Sequence, residues 1–462
     1  MVRLFKHYVP HAVLWLGLAD LCLLLLAAEG AWRLYAWQIG MGSDGVGSRL
    51  PQLLTFASCI LTAMVAVGAY ASDALQSKRF ALARLLVAIS LGVILLAVLR
   101  WLFPPITLWR LNTLYAMAFA FLFLLGARVL TGRLLGGEKF RRRVLVLGAG
   151  PRAKRLADLA GRPGASFAIV GHVAMNDGPV AVAHAVNRAD IPNLAEHVRR
   201  AGASEVVLAL EERRNSLPLS DLLRVKTAGV HVNDFSSFIE RETGRVDLDS
   251  VNPSWLIFSD GFSSGRRLSS VAKRVFDVLV SAALLLLFAP VILVTAIAIR
   301  LESRGPAFFR QKRVGLYGEP FHLVKLRSMR TDAEANGKAV WAQHDDPRVT
   351  RVGRWIRKLR IDELPQAWAV LKGDMSFVGP RPERPQFVVD LESRLPFYAE
   401  RHMVKPGITG WAQVNYPYGA SIEDARHKLE YDLYYAKNYT PFLDILILLQ
   451  TVRVVLWSDG AR

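Results

Sequence analysis

Residues 278–299 read VLVSAALLLLFAPVILVTAIAI, and the way this run is threaded decides the fold of the chain. It is long enough to cross a bilayer core, which takes about 20 apolar residues. Two features argue against a plain crossing. Pro290 sits near its centre, where a proline removes a helical hydrogen bond and crowds the preceding turn. Both flanks are basic, with Arg266, Arg267, Lys273 and Arg274 before the run and Arg300, Arg304, Arg310, Lys312 and Arg313 after it. Basic flanks stay in the cytoplasm, and a straight span keeps only one of its ends there. A helix broken at Pro290 that returns to the same face satisfies both signals. A straight fifth span is the alternative.

Four more apolar runs lie upstream, near 12–28, 53–71, 82–103 and 108–130. Arg3 and Lys6 precede the first, Lys78 and Arg79 separate the second and third, and Arg133, Lys139 and Arg141 to Arg143 follow the fourth. The 32–50 connection carries only Arg33 and Arg49, and the 104–107 link carries no charge. Both ends of this bundle are therefore expected in the cytoplasm. No small-residue cleavage site follows the first run, so it does not read as a removable signal.

Of 462 residues, 52% are hydrophobic and only 21% charged, which is too apolar for an ordinary soluble enzyme. The net charge of +19 raises the question of nucleic acid. Much of that charge borders apolar runs, where it meets anionic lipid, and no recognition helix, zinc-finger spacing or RNP-like motif is present. A membrane surface and an anionic substrate are the simpler partners. Cys22 and Cys59 both fall in apolar runs, which leaves no disulfide framework and no thiolate metal site.

Between the bundle and the fifth run, residues 143–148 (RVLVLG) form a strand leading into Gly148-Ala149-Gly150-Pro151-Arg152-Ala153, a GxGxxA turn that opens a helix. Further strands are expected at 167–173, 205–210 and 229–232, giving a doubly wound α/β domain. The acid that dinucleotide binding needs about 20 residues on has no good candidate, since Asp177 lies in a loop-like stretch. Pro151 and Arg152 also depart from the usual small residues. A degenerate Rossmann-like domain with a structural or regulatory role is expected, with no cofactor site assigned. A membrane nucleotide-sugar dehydratase would share this layout but needs a YxxxK pair, and none occurs; Tyr434-Tyr435-Ala436-Lys437 has the wrong spacing.

Downstream of the fifth run, residues 357–366 read RKLRIDELPQ. Residues 350–360 suit an amphipathic helix with Val352, Trp355, Ile356 and Leu359 on one face. Pro365 suits a first turn, so a second helix is expected from Asp362 to Leu371, closed by Gly373. Asp362 would then lie at the positive end of a helix, ionised, with Arg357 and Arg360 nearby. That suits a nucleophile acting on phosphate. The plainer alternative makes Asp362 an N-cap and Glu363 a solvated acid. Strands at 306–315 and 321–326 end in basic turns and deliver Lys325 and Arg327, and Pro380 and Pro382 hold Arg381 in a stiff loop. Stiffly held arginine favours bidentate phosphate recognition. A final run, 441–457, carries Asp444 and Arg453 and reads as an interfacial helix.

The motifs KRVFD (273–277), PAFFRQKRVG (306–315), KLRSM (325–329), DELPQ (362–366), GDMSFVGPRP (373–382) and PGITGWAQVN (406–415), with the 431–451 tail, occur here in order. In these stretches the chain resembles the bacterial polyprenyl-phosphate hexose-1-phosphate transferases, the long-form monotopic phosphoglycosyl transferases. Residues 240–262 further resemble the subgroup associated with exopolysaccharide and exosortase loci. The resemblance implies that Asp362 attacks the β-phosphorus of a UDP-sugar, expelling UMP and forming a phosphosugar aspartate. Undecaprenyl phosphate then takes the sugar phosphate, initiating exopolysaccharide synthesis. Glu363 is implied as a base or, with Asp362, as a ligand to Mg²⁺, and Lys325, Arg327, Arg357 and Arg381 as phosphoryl-binding cations. The implied site is the cytoplasmic face of the bacterial inner membrane, with a homodimer suggested by relatives of this length. One departure stands in the anchor: relatives usually carry Ser before the breaking proline, and this chain has Ala289. A non-catalytic assembly scaffold is the remaining alternative, which an intact Asp362-Glu363 pair argues against.

The expected organisation is a four-helix transmembrane domain (1–138), a Rossmann-like α/β domain (139–262) and a mixed α/β monotopic catalytic domain (263–462). The last carries the re-entrant helix near 275–301.

Overall fold

The computed structural model describes residues 2–4, 7–9, 11–40, 45–70, 78–134, 141–162, 165–175, 180–211, 218–251, 267–331, 333, 346–417, 419 and 421–457. The chain forms two compact units, built chiefly from Tyr8–Gly244 and Arg245–Arg462. Asp177, Arg266 and residues 252–262 of the subgroup resemblance lie outside the described residues.

In the first unit the apolar runs form the helices His11–Gln38, Val46–Val67, Lys78–Leu102 and Arg110–Leu134. The first continues ten residues past its expected end at 28. Its polar stretch stays helical because Glu29 accepts from Arg33 one turn on, at 2.8 Å, and lies 3.8 Å from Arg49 of the second helix. With Ser270–Glu302, five helices among the described residues are long and apolar enough to cross a membrane.

The same unit holds a five-stranded, all-parallel sheet in the order Ala185–Asn187, Phe167–Ala174, Arg142–Leu147, Glu205–Leu208, His231–Asp234. That is the Rossmann order 3-2-1-4-5, a first half and two strands of the second. The short edge strand Ala185–Asn187 was not anticipated; three residues give too little alternation to read. Side chains of the central strand sort by parity, as the pleat requires. Val144 and Val146 face Leu156, Phe235 and Phe238, while Leu145 and Leu147 face Leu194, Val198 and Leu222. Both faces are buried, as in a doubly wound sheet.

The second unit begins earlier than the sequence suggested. Instead of a boundary at 262, the backbone changes partners at Arg245, whose guanidinium lies 3.0 Å from Glu430, and Val246 N–H donates to the Glu430 carbonyl at 3.0 Å. Val246 and Leu248 are buried in the second unit's core beside Leu429, Leu433, Tyr434, Tyr435 and Trp411. An antiparallel hairpin, Phe308–Val314 with Pro320–Leu326, and a short parallel pair, Ser376–Val378 with Gly407–Thr409, supply its strands. The run that opened the sequence reading lies in one helix, Arg267–Glu302, assigned without interruption through Pro290. Around the proline its apolar surface is bare: Leu286, Leu287, Leu293 and Val294 are each more than half exposed.

Candidate active site

The Asp362-Glu363 pair lies at a junction with three parts. The helix Arg351–Lys358 starts at Thr350, whose hydroxyl accepts from Gly353 N–H at 2.9 Å. Arg360 then adopts a left-handed conformation (φ 57°, ψ 18°), sparse territory for a side-chain-bearing residue. Residues Ile361–Gln366 form a 3₁₀ turn, and only from Ala367 does an α-helix run to Lys372, capped by Gly373 at φ 102°. The expected α-helix from Asp362 is thus 3₁₀ over its first five residues. Pro365 has no N–H to give Ile361, so the tighter i→i+3 pattern takes over, as in Glu363 N–H to the Arg360 carbonyl at 3.2 Å.

Asp362 is not an N-cap. Among the described residues no donor, backbone or side chain, bonds its carboxylate, although the residue is only 9% exposed. Its expected helix-end stabilisation is therefore missing. Burial and the neighbouring Glu363 push its carboxyl above the usual aspartate range, against the pull of Lys325, Arg357 and Arg381. Glu363 is the opposite case. Its Oε1 lies 3.2 Å from Arg381, 3.4 Å from Lys325 and 3.8 Å from Arg360. Burial works against its charge, but Lys325, Arg381 and Arg360 outweigh it and hold the carboxyl well below the usual range. So strongly held a carboxylate is a poor proton acceptor, which counts against the expected role as base. Lys325, from the hairpin, is pulled below the usual lysine range by burial, with Arg381 and Arg313 adding to the effect and Glu363 and Asp362 opposing it.

All four expected cations, Lys325, Arg327, Arg357 and Arg381, line one cavity with Asp362 and Glu363, of about 1400 Å³. Arg357 makes no ion pair among the described residues, so it and Asp362 both stand uncommitted in that lining. Arg327 differs. Its buried guanidinium donates to the Ser303 and Arg304 carbonyls at 2.9 Å, and to Ile299 at 3.4 Å, closing the C-terminal end of the anchor helix. The geometry thus spends both terminal nitrogens of this side chain on helix carbonyls that lack internal partners.

Several residues not singled out in the sequence hold the site in place. Arg401, buried against Asp432 at 2.7 Å, donates to the Arg381 carbonyl at 2.9 Å and so fixes the stiff loop from beneath. The loop also crosses the 407–410 segment in backbone contact: Gly379 N–H donates to Thr409 and Gly407 N–H to Pro380, both at 2.9 Å. A Cβ at Gly379 would run into the Lys405 carbonyl, so glycine is required there. The KRVFD basic residues, expected at lipid head groups, turn inward. Lys273 pairs with Asp444 at 2.6 Å, and Arg274 donates to the Val370 and Leu371 carbonyls, each at 2.7 Å, closing the helix that follows Asp362-Glu363. Asp277 accepts from Ser376 Oγ and Phe377 N–H, both at 3.0 Å. At the other end of the anchor, Glu302 accepts from Arg351 N–H at 2.7 Å and so sits at the start of the helix that precedes the pair. The two ends of the anchor therefore grip the two helices flanking the acids. Spacing alone could not show this, because every one of these contacts joins distant segments.

No group of three or more His, Cys, Asp or Glu side chains suited to a metal occurs among the described residues. Two adjacent carboxylates in a cation-lined cavity still fit Mg²⁺, which commonly takes one or two carboxylates and completes its shell with substrate phosphates and water.

Residues 268–458 match the family model described as bacterial sugar transferase. The chain is 46% identical over 241 residues to a UDP-N-acetylgalactosamine-undecaprenyl-phosphate N-acetylgalactosaminephosphotransferase of Aeromonas hydrophila, a match covering 52% of this chain and 56% of that protein. It is 46% identical over 191 residues to a UDP-glucose:undecaprenyl-phosphate glucose-1-phosphate transferase of Caulobacter vibrioides, covering 41% of this chain and 71% of the relative. An uncharacterized sugar transferase of Bacillus subtilis is 45% identical over 196 residues, 42% of this chain and 91% of that protein. The chain thus spans about half the length of the Aeromonas relative but most of the two shorter proteins. The shared region holds the anchor helix, the Asp362-Glu363 junction and the Arg381 loop, and on this evidence the chain belongs to the bacterial sugar transferase family.

Proposed function

We propose that this protein transfers a sugar 1-phosphate from a UDP-sugar to undecaprenyl phosphate at the cytoplasmic face of the inner membrane, releasing UMP and opening exopolysaccharide synthesis. The observation that carries this reading is the asymmetry of the two acids: Asp362 is buried, unbonded and open to the cavity, while Glu363 is held by three cations. An uncommitted carboxylate is the better nucleophile. An Asp362 oxygen forms a bond to the β-phosphorus of the donor as the bond to the α-phosphate bridging oxygen breaks, and UMP departs with that electron pair. A phosphate oxygen of undecaprenyl phosphate then forms a bond to the same phosphorus, the acyl-phosphate bond breaks, and Asp362 is restored as carboxylate. Arg357, Lys325 and Arg381 hold the phosphoryl oxygens in both steps. Asp362 and Glu363 are the residues that would hold Mg²⁺, which when bound offsets diphosphate charge. Glu363 is assigned to setting the cations.

The relatives' names support the donor and acceptor classes, and the five apolar helices support membrane residence. Re-entry of the anchor has its own support. A straight helix would separate Arg274 from Ile299 by about 38 Å at 1.5 Å per residue. Arg274 bonds the Leu371 carbonyl, Ile299 shares an apolar cluster with Ile361, and Leu371 and Ile361 are joined by a 3₁₀ turn and a short helix, which reach about 20 Å. A bend in the helix, with Pro290 as its natural place, reconciles the two lengths.

The test is incubation of membranes carrying the full chain with UDP-sugars and undecaprenyl phosphate, following UMP. Equal release by wild type and Asp362→Asn would remove Asp362 as nucleophile. Trapping labelled sugar phosphate on the protein without acceptor lipid examines the covalent step separately.

A further inference from the structure

Resting on the reading above, we propose that the apolar end of the active-site cavity seats the polyprenyl chain of the acceptor, in a groove between the anchor helix and the C-terminal helix. The cavity does not stop at Asp362. Its lining also includes Phe377 and Ile408, Leu284 on the anchor helix, and Thr451 and Val454 on the helix Pro441–Trp457.

These two helices run side by side. Lys273 meets Asp444 at 2.6 Å near the start of the shared stretch. About three turns further along each helix, Leu284 and Val454 pack against the same core. Thr451 offers no competing polar group, since its hydroxyl bonds the Ile447 carbonyl at 2.7 Å and the Thr409 hydroxyl at 2.8 Å. Just beyond Leu284, the anchor exposes Leu286 at 81% and Leu287 at 72%, so the groove ends where the helix becomes bare and apolar.

An occupant must therefore satisfy two environments at once. One end of the space carries Lys325, Arg357 and Arg381, and the other is hydrocarbon. A nucleotide or a free phosphate matches only the first. An anionic head on a long hydrocarbon chain matches both, and the membrane-facing anchor forms one wall of the apolar part. The donor then uses the cationic end alone, and the two half-reactions depend on different residues.

That separation gives the test, made on the full chain in lipid nanodiscs with UDP-N-acetylgalactosamine and UDP-glucose as donors. Val454→Trp narrows the groove without touching the cationic end. The UMP burst seen without acceptor should match wild type, while the KM for undecaprenyl phosphate rises about tenfold, as expected when two or so methylenes lose their burial. An unchanged acceptor KM, or a burst lowered as much as turnover, overturns the proposal. Because Val454→Trp can misfold, wild type is also photolabelled with a polyprenyl phosphate carrying a diazirine in its first isoprene units. Labelling of peptides containing Leu284 or Val454, competed by undecaprenyl phosphate, supports the groove; labelling confined to other segments overturns it. If wild type releases no UMP from either donor, the proposed reaction fails, and photolabelling still decides the groove.

Discussion

Two tight turns in this chain open helices, and they differ in what has become of their polar groups. At Gly148–Pro151 neighbouring segments already engage some of the turn's groups. Ala181 N–H donates to the Ala149 carbonyl at 2.7 Å, and Arg152 reaches the Leu210 carbonyl at 2.5 Å while lying over the Phe235 ring at 5.6 Å. Pro151 removes one more N–H from that helix start. At Arg360–Gln366 the chain leaves its groups open, with Asp362 unbonded and Arg357 unpaired among the described residues. The first turn has the more familiar motif and the second the better chemistry. A motif fixes backbone geometry; whether a site exists depends on whether neighbouring segments consume its donors and acceptors.

Exchanging one polar group at each turn tests this contrast most sharply. Asp362→Asn should lose at least about 10³-fold in UMP release, as removal of a nucleophile does. Arg152→Ala should leave turnover within about twofold, at a stability loss of about 1 kcal/mol for one hydrogen bond and a ring contact. A comparable loss of turnover from both changes would erase the distinction.

The next effect comes from the support of the open turn. Arg274→Gln frees the Val370 and Leu371 carbonyls and should lower kcat by about 10- to 100-fold, since small misplacements of reacting groups are costly. The UDP-sugar KM should hold near wild type, and Arg274→Lys should recover part of the loss. A KM effect with unchanged kcat would mean that Arg274 serves binding and not placement.

The two acids should also diverge in stability. Glu363→Gln leaves Lys325, Arg381 and Arg360 without their shared counter-charge, and at neutral pH it should cost about 1–3 kcal/mol in denaturant unfolding, the upper figures being reduced by partial exposure of the cations. Glu363 has a depressed carboxyl, so its stabilisation is present above the ordinary glutamate range and fades as pH falls through the depressed value. The penalty of Glu363→Gln should therefore shrink as pH falls below the ordinary glutamate range and vanish in strong acid. Asp362 has the opposite sign. Its raised carboxyl favours the folded state below the ordinary aspartate range, and that benefit is lost as pH rises through the folded value. Asp362→Asn should accordingly melt above wild type at neutral pH, with the gap closing in acid. A lower melting temperature at neutral pH would show that Asp362 is stabilised in a way its surroundings do not reveal. The acid limb of UMP release should likewise lie above the ordinary aspartate range.

Much of the fold was legible because its signals are local. Apolar runs gave the helices within a few residues at most ends, and short apolar runs gave four of the five parallel strands. Where the expectation slipped, a longer-range contact had intervened. Glu29 and Arg33 extended the first helix, and Val246 with Leu248 drew the unit boundary back to Arg245. The site was legible in its members and less so in their roles. Lys325, Arg327, Arg357, Arg381, Asp362 and Glu363 all line one cavity. Arg327 also closes a helix, Lys273 and Arg274 face inward, and Arg401 and Asp277 went unnoticed, because nothing in their own neighbourhoods marks what they will meet.

The sequence alone determined that two acids stand side by side after a basic helix, that a proline sits inside the fifth apolar run, and that glycines and prolines stiffen the loop around Arg381. These are consequences of covalent order and local propensity. Only the tertiary structure decided which acid is bound and which is open. Lys325 and Arg381 are 38 and 18 residues from Glu363, yet both come within 3.4 Å of its Oε1. Charge pairing and burial depend on distance in space, and the chain sets that distance only once it has folded.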